Sequence, residues 1–293
     1  MRHAIEMARE FEEWMLDKTD CVGGLTQAPF EACSAIDGDL SLGLLIVVDH
    51  SGSALPARYR SDGLRLGLPP EQFERHIAYD IGIRGVAEQL NKRLKAPVVM
   101  AHFSRLLIDP NRGVDDPTLI MKLSDGAIVP GNALVDEAET EFRKQNFYEP
   151  YHKAIAGEID RFLSAGIVPV ILSLHSFTSR WRGTPRKWHT GVLWDKDPRF
   201  AQPFIKALHE DSALIVGDNA PYTGRLKGDC MYRHGTSRGL AHALLEIRQD
   251  LIEDEAGQIE WASRLGKLLK PLFASEEIIA PCREIRQYGS HSF

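Results

Sequence analysis

Short continuous apolar runs alternate along this chain with longer segments in which apolar residues recur at helical spacing. Five runs predict strands: GLLIVVDH (43–50), APVVMAHF (96–103), GIVPVILSLH (166–175), LIVGDN (214–219) and ALLEIRQDLI (243–252). Apolar runs of this length are typical of strands that are buried on both faces of a sheet.

The segments between these runs predict helices. Residues 70–94 read as a loop followed by a helix, whose apolar stripe consists of Ile81, Ile83, Val86, Leu90 and Leu94. The pattern predicts further helices over residues 1–18, 136–165 and 255–273. Residues 113–135 carry no regular pattern, and we expect an irregular excursion there.

The alternation of strands with helices predicts an α/β fold with a mostly parallel or mixed central sheet and helices on both faces. No internal repeat, low-complexity tract or interdomain linker interrupts the pattern. A chain of 293 residues is long enough to bury a large core. We therefore expect a single domain over residues 1–293, with the motif-bearing core at about 43–273.

Composition and charge argue against several classes of protein. Hydrophobic residues make up 43% and charged residues 26%, and the net charge of -6 lacks the basic surplus of a nucleic-acid binder. No stretch approaches the roughly 20 apolar residues of a membrane span, and residues 1–16 lack the apolar core of a signal peptide. The cysteines form no CxxC pair: Cys21, Cys33, Cys230 and Cys282. We expect a cytoplasmic protein with no nucleic-acid or membrane partner.

Polar side chains gather where the predicted strands end. Asp49 and His50 end the first strand, His175 ends the third, and Glu246 with Arg248 lies in the fifth. Functional groups of open α/β sheets lie beyond the carboxyl ends of the strands. Two imidazoles and several carboxylates at one edge are more than the rim of a core needs, so we predict a functional site there.

These residue types are suited to metal-assisted hydrolysis. Two histidines on neighbouring strands can bind one Zn²⁺, and a catalytic zinc takes three protein ligands and keeps an open place for water. The metal lowers the pKa of that water and polarises a carbonyl, while a nearby glutamate can pass a proton to the leaving nitrogen. Arg105 and Arg112 follow the second predicted strand, and arginines hold carboxylates by paired hydrogen bonds.

The sequence around these residues resembles two related groups of enzymes. SLHSF around His175 and LEIRQD around Glu246 resemble the zinc carboxypeptidases, and DPNR, with Asn111 and Arg112, resembles the N-R pair that holds the substrate carboxylate in those enzymes. Seven motifs between residues 47 and 252 together resemble the N-formylglutamate amidohydrolase family, in the order of that family: VVDHSGSALP, HIAYDIG, SRLLIDPNR, EPYHKAI, SLHSFT, VGDNAPY and EIRQDLI.

The resemblance implies a zinc-carboxypeptidase-like fold of the phosphorylase/hydrolase type, and hydrolysis of N-formyl-L-glutamate to formate and L-glutamate. It implies one Zn²⁺ per chain, with His50 and His175 as ligands and Glu246 as the catalytic base. Asp80 in HIAYDIG is the first candidate for the third ligand, and His152 and Asp49 are alternatives. The residues expected to contact substrate are Arg105, Asn111, Arg112, His152 and Arg248.

Two positions depart from the related patterns. Carboxypeptidases have a glutamate ligand three residues after the first histidine, where this chain has Ser53, although the amidohydrolase family also lacks that glutamate. The chain also has SGS where members of the family often have ASN, a change that would alter the pocket near His50.

The sequence therefore predicts a metal-dependent amidohydrolase whose partner is a small N-acyl amino acid. Two alternatives remain open. The same residues would serve a metallopeptidase or amidase acting on a peptide or cell-wall fragment, with residues 113–135 deciding what fits. Ser53 and the unassigned third ligand also leave open a binding protein without catalysis, in which His50 is a structural histidine and Glu246 pairs with Arg248 or another arginine.

Overall fold

A mixed sheet of seven strands lies at the centre of residues 30–291, the part of the chain that this computed structural model describes. The strands are β1 (Cys33–Ile36), β2 (Leu44–Val48), β3 (Val98–Ala101), β4 (Val170–Phe177), β5 (Thr190–Leu193), β6 (Val216–Asp218) and β7 (His242–Arg248). Their order across the sheet is β1-β3-β2-β4-β7-β5-β6. The strands β3, β2, β4 and β7 are parallel, whereas β1 runs antiparallel to β3, and β5 with β6 runs antiparallel to β7.

The α/β class is confirmed, and each of the five predicted strands is present with altered bounds. The third strand continues to Phe177, so His175 lies inside β4 rather than at its end. The fifth strand stops at Arg248 and a 3₁₀ turn follows it, Gln249–Leu251. The sequence pattern does not predict β1 and β5, because each has only four residues and neither contains a long apolar run.

Helices cover the sheet. They are α1 (Ile83–Leu94), α2 (Glu137–Arg143), α3 (Glu149–Ser164), α4 (Ala201–His209), α5 (Cys230–His234), α6 (Glu255–Ala274) and α7 (Glu276–Cys282), and a π-helical segment, Lys144–Tyr148, joins α2 to α3. The helix predicted within 70–94 is α1, and those predicted over 136–165 and 255–273 correspond to α2 through α3 and to α6. The helix predicted over 1–18 lies outside the described residues.

The predicted apolar stripes explain how the helices pack. Ile83, Val86 and Leu90 of α1 are buried in one cluster with residues of α4, α6 and α7, and with alternate residues of β2. Helix α3 contacts β1, β2 and β3, and its buried residues do not belong to that cluster. Because successive strand side chains point to opposite faces, the two groups of helices cover the two faces of the sheet.

The connecting segments contain little regular structure. Within 113–135 the chain forms only a two-residue hairpin, Leu123–Ser124 with Ala127–Ile128, and a 3₁₀ turn, Pro130–Asn132, as the irregular pattern predicts. A second small hairpin, Arg180–Trp181 with Thr184–Pro185, follows β4. No helix among residues 30–291 has the length and apolar character needed to cross a membrane.

The four parallel strands bring the predicted polar residues together. His175 on β4 and Glu246 on β7 are paired neighbours in the sheet, and His50 follows β2, which is the neighbour of β4 on its other side. Residues from adjacent strands at the same end of a sheet are thereby held on a rigid frame, which positions side chains more accurately than a mobile loop.

Candidate metal centre and active site

His50, His175 and Asp80 form a buried group whose possible ligand atoms all lie within 4.8 Å of one another. Asp80 Oδ2 is 2.9 Å from His175 Nδ1 and 3.5 Å from His50 Nδ1. Asp80 comes from the loop before α1, where its backbone N–H donates to the carbonyl of His50 at 2.9 Å. The third ligand predicted from the sequence is thus placed between the two histidines.

A carboxylate behind each histidine fixes the orientation of its ring. His50 Nε2 lies 2.7 Å from Asp109 Oδ1, and His175 Nε2 lies 2.9 Å from Asp49 Oδ2. An ionised carboxylate only accepts, so each Nε2 carries a proton and Nδ1 is left for the centre of the group. Metal-binding histidines are oriented in this way by hydrogen bonds from the second ring nitrogen.

The donor atoms fit a metal ion of the zinc type. His50 Nδ1 is buried and has no hydrogen-bond partner, and an unpaired buried polar atom is costly. Two imidazole nitrogens and a carboxylate oxygen are a common set of protein ligands for a catalytic zinc, which leaves a further position open. A cation among His50, His175 and Asp80 would satisfy the unpaired nitrogen.

The charges around the centre also favour a cation. Burial alone would raise the pKa values of Asp49, Asp80 and Asp109, but the neighbouring imidazoles, and for Asp109 also Arg105, hold the pKa values of these carboxyls below their ordinary range. Three ionised carboxylates face one guanidinium, so with neutral imidazoles the group carries two net negative charges. Burial alone would lower the pKa of His175, but hydrogen bonds to Asp49 and Asp80 raise it to about 10. A bound divalent cation would replace this extra proton.

Glu246 lies beside this group and has the properties of an acid–base residue. It is buried, and its Oε2 atom has no hydrogen-bond partner. Burial raises the pKa of Glu246 to about 7, and the negative charge of Asp80 acts in the same direction. A carboxyl with a pKa close to the working pH can both accept and return a proton. No ion pair joins Glu246 to Arg248 among the described residues, since Arg248 binds Asp250 at 2.7 Å.

An open cavity of about 640 Å³ is lined by Glu246 and by the three residues of the candidate metal centre, His50, Asp80 and His175. Arg105, Asn111 and Arg112, which the sequence predicts as substrate-binding, all line it. The cavity is also lined by aromatic and polar side chains that the sequence does not single out, among them His76, Phe177, Trp194, Tyr222, Asp229 and Tyr232. It can therefore accommodate a small molecule that carries both charge and an organic side chain.

The two arginines of the DPNR region differ in how far their charges are already paired. Arg105 donates to Asp80 Oδ1 at 3.2 Å and to Asp109 Oδ2 at 3.1 Å, so it holds two carboxylates of the centre in place. Arg112 bonds only neutral oxygens, those of Thr118 at 3.2 Å and Asn111 at 3.1 Å. Among the described residues, Arg112 has no carboxylate within ion-pair distance and is the freer cation of the two.

The structure does not bring every predicted residue into this site. His152, predicted as a substrate contact and an alternative ligand, lies outside the cavity lining and contacts His234 instead. Arg248 also lies outside the lining, and donates to the backbone carbonyls of Arg186 and Trp188. Asp49 is on the far side of the His175 ring from Asp80. There it accepts hydrogen bonds from the hydroxyls of Tyr151 at 2.9 Å and Ser173 at 3.0 Å.

Asp109 is the main residue of the site that sequence reasoning misses. It belongs to the DPNR motif, but the motif draws attention to the Asn and Arg rather than to the Asp. Asp109 is fully buried, and it joins His50 to Arg105 while its Oδ1 atom also accepts the backbone N–H of Asn111 at 2.9 Å. The signal that could have identified Asp109 is its position between two arginines in the SRLLIDPNR motif.

The chain is similar in sequence and in fold to known amidohydrolases. The family model for N-formylglutamate amidohydrolases matches residues 42–253. An N-formylglutamate deformylase from Pseudomonas putida is 27% identical over 247 residues, which are 77% of this chain and 87% of that protein. The structure of gene product Atu2144 from Agrobacterium tumefaciens is 31% identical, with a TM-score of 0.77 over 85% of this chain and 97% of that one.

The structure of N-formylglutamate amidohydrolase from Ralstonia eutropha has the same fold at 21% identity, with a TM-score of 0.61 over 85% of this chain and 99% of that one. This likeness shows that the chain shares the fold of that amidohydrolase, an α/β fold of the class expected from the sequence. The family model covers most of the described chain and includes His50, Asp80, His175 and Glu246. The chain therefore belongs to the N-formylglutamate amidohydrolase family.

Proposed function

We propose that this chain is a zinc-dependent deformylase that hydrolyses N-formyl-L-glutamate, or a closely related N-acyl amino acid, to the acid and the free amino acid. The observation that carries the proposal is that His50, His175 and Asp80 form one group and line the same cavity as Glu246 and Arg112. Family membership supports an amide-bond hydrolase, and the geometry supplies a role for each of these side chains.

His50, His175 and Asp80 would hold the zinc ion, one per chain. When bound, the metal would lower the pKa of a water molecule and polarise the amide carbonyl of the substrate. Asp109 and Asp49 keep the two imidazoles in the tautomer and orientation that a ligand needs. Arg105 fixes Asp80 and Asp109 relative to each other, and we assign it this positioning role ahead of direct contact with substrate.

Glu246 would accept a proton from the attacking water as the new carbon–oxygen bond forms. It would return that proton to the amide nitrogen as the carbon–nitrogen bond breaks, so that formate and a free amine result. Its raised pKa suits both steps, because neither protonation state is strongly favoured near pH 7. The proton transfers need no further titratable group.

Arg112 is the leading candidate to hold a substrate carboxylate. Its guanidinium lines the cavity and is not neutralised by a carboxylate among the described residues. A planar guanidinium can bind a carboxylate through two parallel hydrogen bonds, which fixes the substrate relative to the reacting centre. Asn111 is next to it, and its Oδ1 atom accepts the backbone N–H of Cys230 at 3.1 Å, which ties this loop to the start of α5.

The direct test is an assay of formate release from N-formyl-L-glutamate, beside a panel of N-acyl amino acids and short peptides. We expect turnover that a chelator abolishes and that added zinc restores. Glu246→Gln should retain metal and fold but lose roughly 10²–10⁴-fold in turnover. Glu253→Gln, at an exposed position, is the matched control and should behave as the parent protein.

The outcome separates the proposal from its alternatives. Cleavage of peptides or cell-wall fragments in preference to N-acyl amino acids would instead identify a metallopeptidase or amidase with the same machinery. A chain that takes up no zinc and binds these compounds without cleaving them would be a binding protein. Full activity in Glu246→Gln would contradict the role given to that carboxyl.

A further inference from the structure

A second buried group of ligand-type side chains lies outside the catalytic cavity. His152 of α3, and Cys230 with His234 of α5, place possible ligand atoms within 4.8 Å of one another. Their exposures are 1%, 0% and 3%, and none of the three lines the cavity. The reaction proposed above uses none of them.

We propose that His152, His234 and Cys230 form a second metal site, which binds a thiophilic transition-metal ion such as Zn²⁺. Imidazole nitrogens and thiolate sulfurs are the donor atoms of many protein zinc sites, and the thiolate favours zinc over the hard cations Mg²⁺ and Ca²⁺. The proposal does not depend on the reaction assigned to the first centre.

The geometry of the two rings supports this site. His152 Nδ1 and His234 Nε2 are 2.9 Å apart, and the rings are stacked at 24° with centroids 5.1 Å apart. Two nitrogens bound tetrahedrally to one zinc at its usual bond length would be about 3.3 Å apart. Cys230 and His234 are four residues apart on α5, a spacing that places both side chains on one face of a helix.

The protonation states of the two rings are those that a metal requires. Burial lowers the pKa of His152, and burial together with the charge of Arg233 lowers the pKa of His234 to about 4, so both rings are neutral at pH 7. Burial, and next the charge of Asp49, raises the pKa of Cys230 well above its ordinary value. A coordinating thiol is deprotonated by the metal, so uptake of the ion would release one proton.

The thiolate gives a spectroscopic test that the first centre cannot imitate. Full-length protein purified without a metal-affinity tag is stripped of metal, reduced and titrated with Co²⁺ in the absence of oxygen. A cobalt ion bound to a thiolate has a charge-transfer band in the near ultraviolet, whereas the ligands His50, His175 and Asp80 contain no sulfur. We expect two Co²⁺ per chain, with the band, and displacement of both ions by Zn²⁺.

The variants assign the band to this site. Cys230→Ser should reduce binding to one Co²⁺ per chain and remove the band, whereas His175→Ala should keep the band and lose the other ion. Cys282→Ser is the matched control, since Cys282 is equally buried but belongs to α7, and it should keep both ions. His234→Gln is a second variant that should also remove the band if Cys230→Ser does not fold.

The parent protein alone can overturn the proposal. Uptake of a single Co²⁺ with no charge-transfer band would mean that the three side chains form only a hydrogen-bonded group. A band that persists in folded Cys230→Ser would place the thiolate at another cysteine and would equally overturn the assignment.

Discussion

The two buried histidine groups of this protein use the same residue type in opposite electrostatic environments. The His50 and His175 rings are T-shaped, with centroids 4.9 Å apart and planes at 76°, and each donates through Nε2 to an ionised carboxylate. His152 and His234 are stacked and contact each other. The pKa of His175 is raised to about 10, after its hydrogen bonds to Asp49 and Asp80 outweigh burial, whereas burial lowers the pKa of His234 to about 4.

The difference shows that burial alone does not decide what a histidine can do. Carboxylates behind the two rings give the first group a negative charge and raise the pKa of His175. This group lines an open cavity and is suited to bind a divalent cation. The second group contains a thiol, is packed against aromatic rings, and is neutral and shielded from solvent. The ring centroids of Tyr148 and Tyr151 lie 4.2 Å and 5.5 Å from that of His152. We therefore expect chemistry at the first group and a structural ion at the second.

The largest expected effect comes from removing a ligand of the first group. If the first group holds the proposed zinc ion, His175→Ala should lose it and reduce turnover by several orders of magnitude, because the metal would supply both the nucleophile and the polarisation of the carbonyl. His209→Ala, on the exposed side of α4, is the control. Metal content per chain and formate release measure the two consequences, and normal turnover in His175→Ala would remove the first group from the mechanism.

The next largest effect is a change in the free energy of unfolding with pH, which arises from Glu246 beside the first group. Burial raises the pKa of Glu246 to about 7 in the metal-free protein, above its ordinary value of 4.5. Because the folded state holds this proton more tightly, the stabilisation is complete below pH 4.5 and is lost as the pH rises through 7. The loss is on the order of 3 kcal/mol in the free energy of unfolding.

Denaturant unfolding of chelated protein between pH 4.5 and 8 measures this change. Glu246→Gln cannot ionise, so its stability should fall less over this range than that of Glu253→Gln. Groups that do not interact with Glu246 titrate in both variants and cancel, whereas His175 and Asp80 interact with it, so the difference reports the ionisation of Glu246 together with its effect on these neighbours. Parallel stability curves for the two variants would show that Glu246 ionises normally and would contradict its proposed catalytic role.

The sequence predicts well the strands that position His50, His175 and Glu246, and the reason is physical. Buried parallel strands produce continuous apolar runs, and the polar residue that ends or interrupts a run is visible as an exception. His50, His175 and Glu246 are exceptions of this kind, and the register of β4 with β7 places the last two side by side. Asp80 lies in a loop, where no apolar run marks it as an exception, so only the HIAYDIG motif predicts its role.

The sequence does not predict which partner a polar residue finds across the fold. His152 lies on the same buried side of α3 as Tyr151 and Ile155, so its spacing is consistent with burial but not with any particular neighbour. Its contact with His234 depends on how α5 packs against α3. The pairing of Arg105 with Asp80 and Asp109 likewise depends on loop geometry that has no periodic signal.

A smaller effect tests the carboxylate behind His50. Asp109→Asn keeps the shape of the side chain but removes the charge that orients the ring, and loss of such a partner typically lowers metal affinity by about 10–100-fold. Asp250→Asn is the control, because Asp250 is also paired with an arginine but is exposed and lies outside the centre. Competition with a chromophoric chelator measures the affinity, and equal values for the two variants would count against this role of Asp109.

The smallest effect tests the residue that touches both groups. The Tyr151 ring packs against His152, while its hydroxyl donates to Asp49, which in turn accepts from His175. Tyr151→Phe keeps the ring and removes one hydrogen bond to Asp49, which should weaken metal binding at the first group by about 1 kcal/mol, or roughly fivefold. Tyr148→Phe is the matched control, since Tyr148 also packs against His152 but donates to the carbonyl of Arg112 at 2.8 Å. An equal loss of affinity in both variants would mean that the effect arises from general packing around His152 rather than through Asp49.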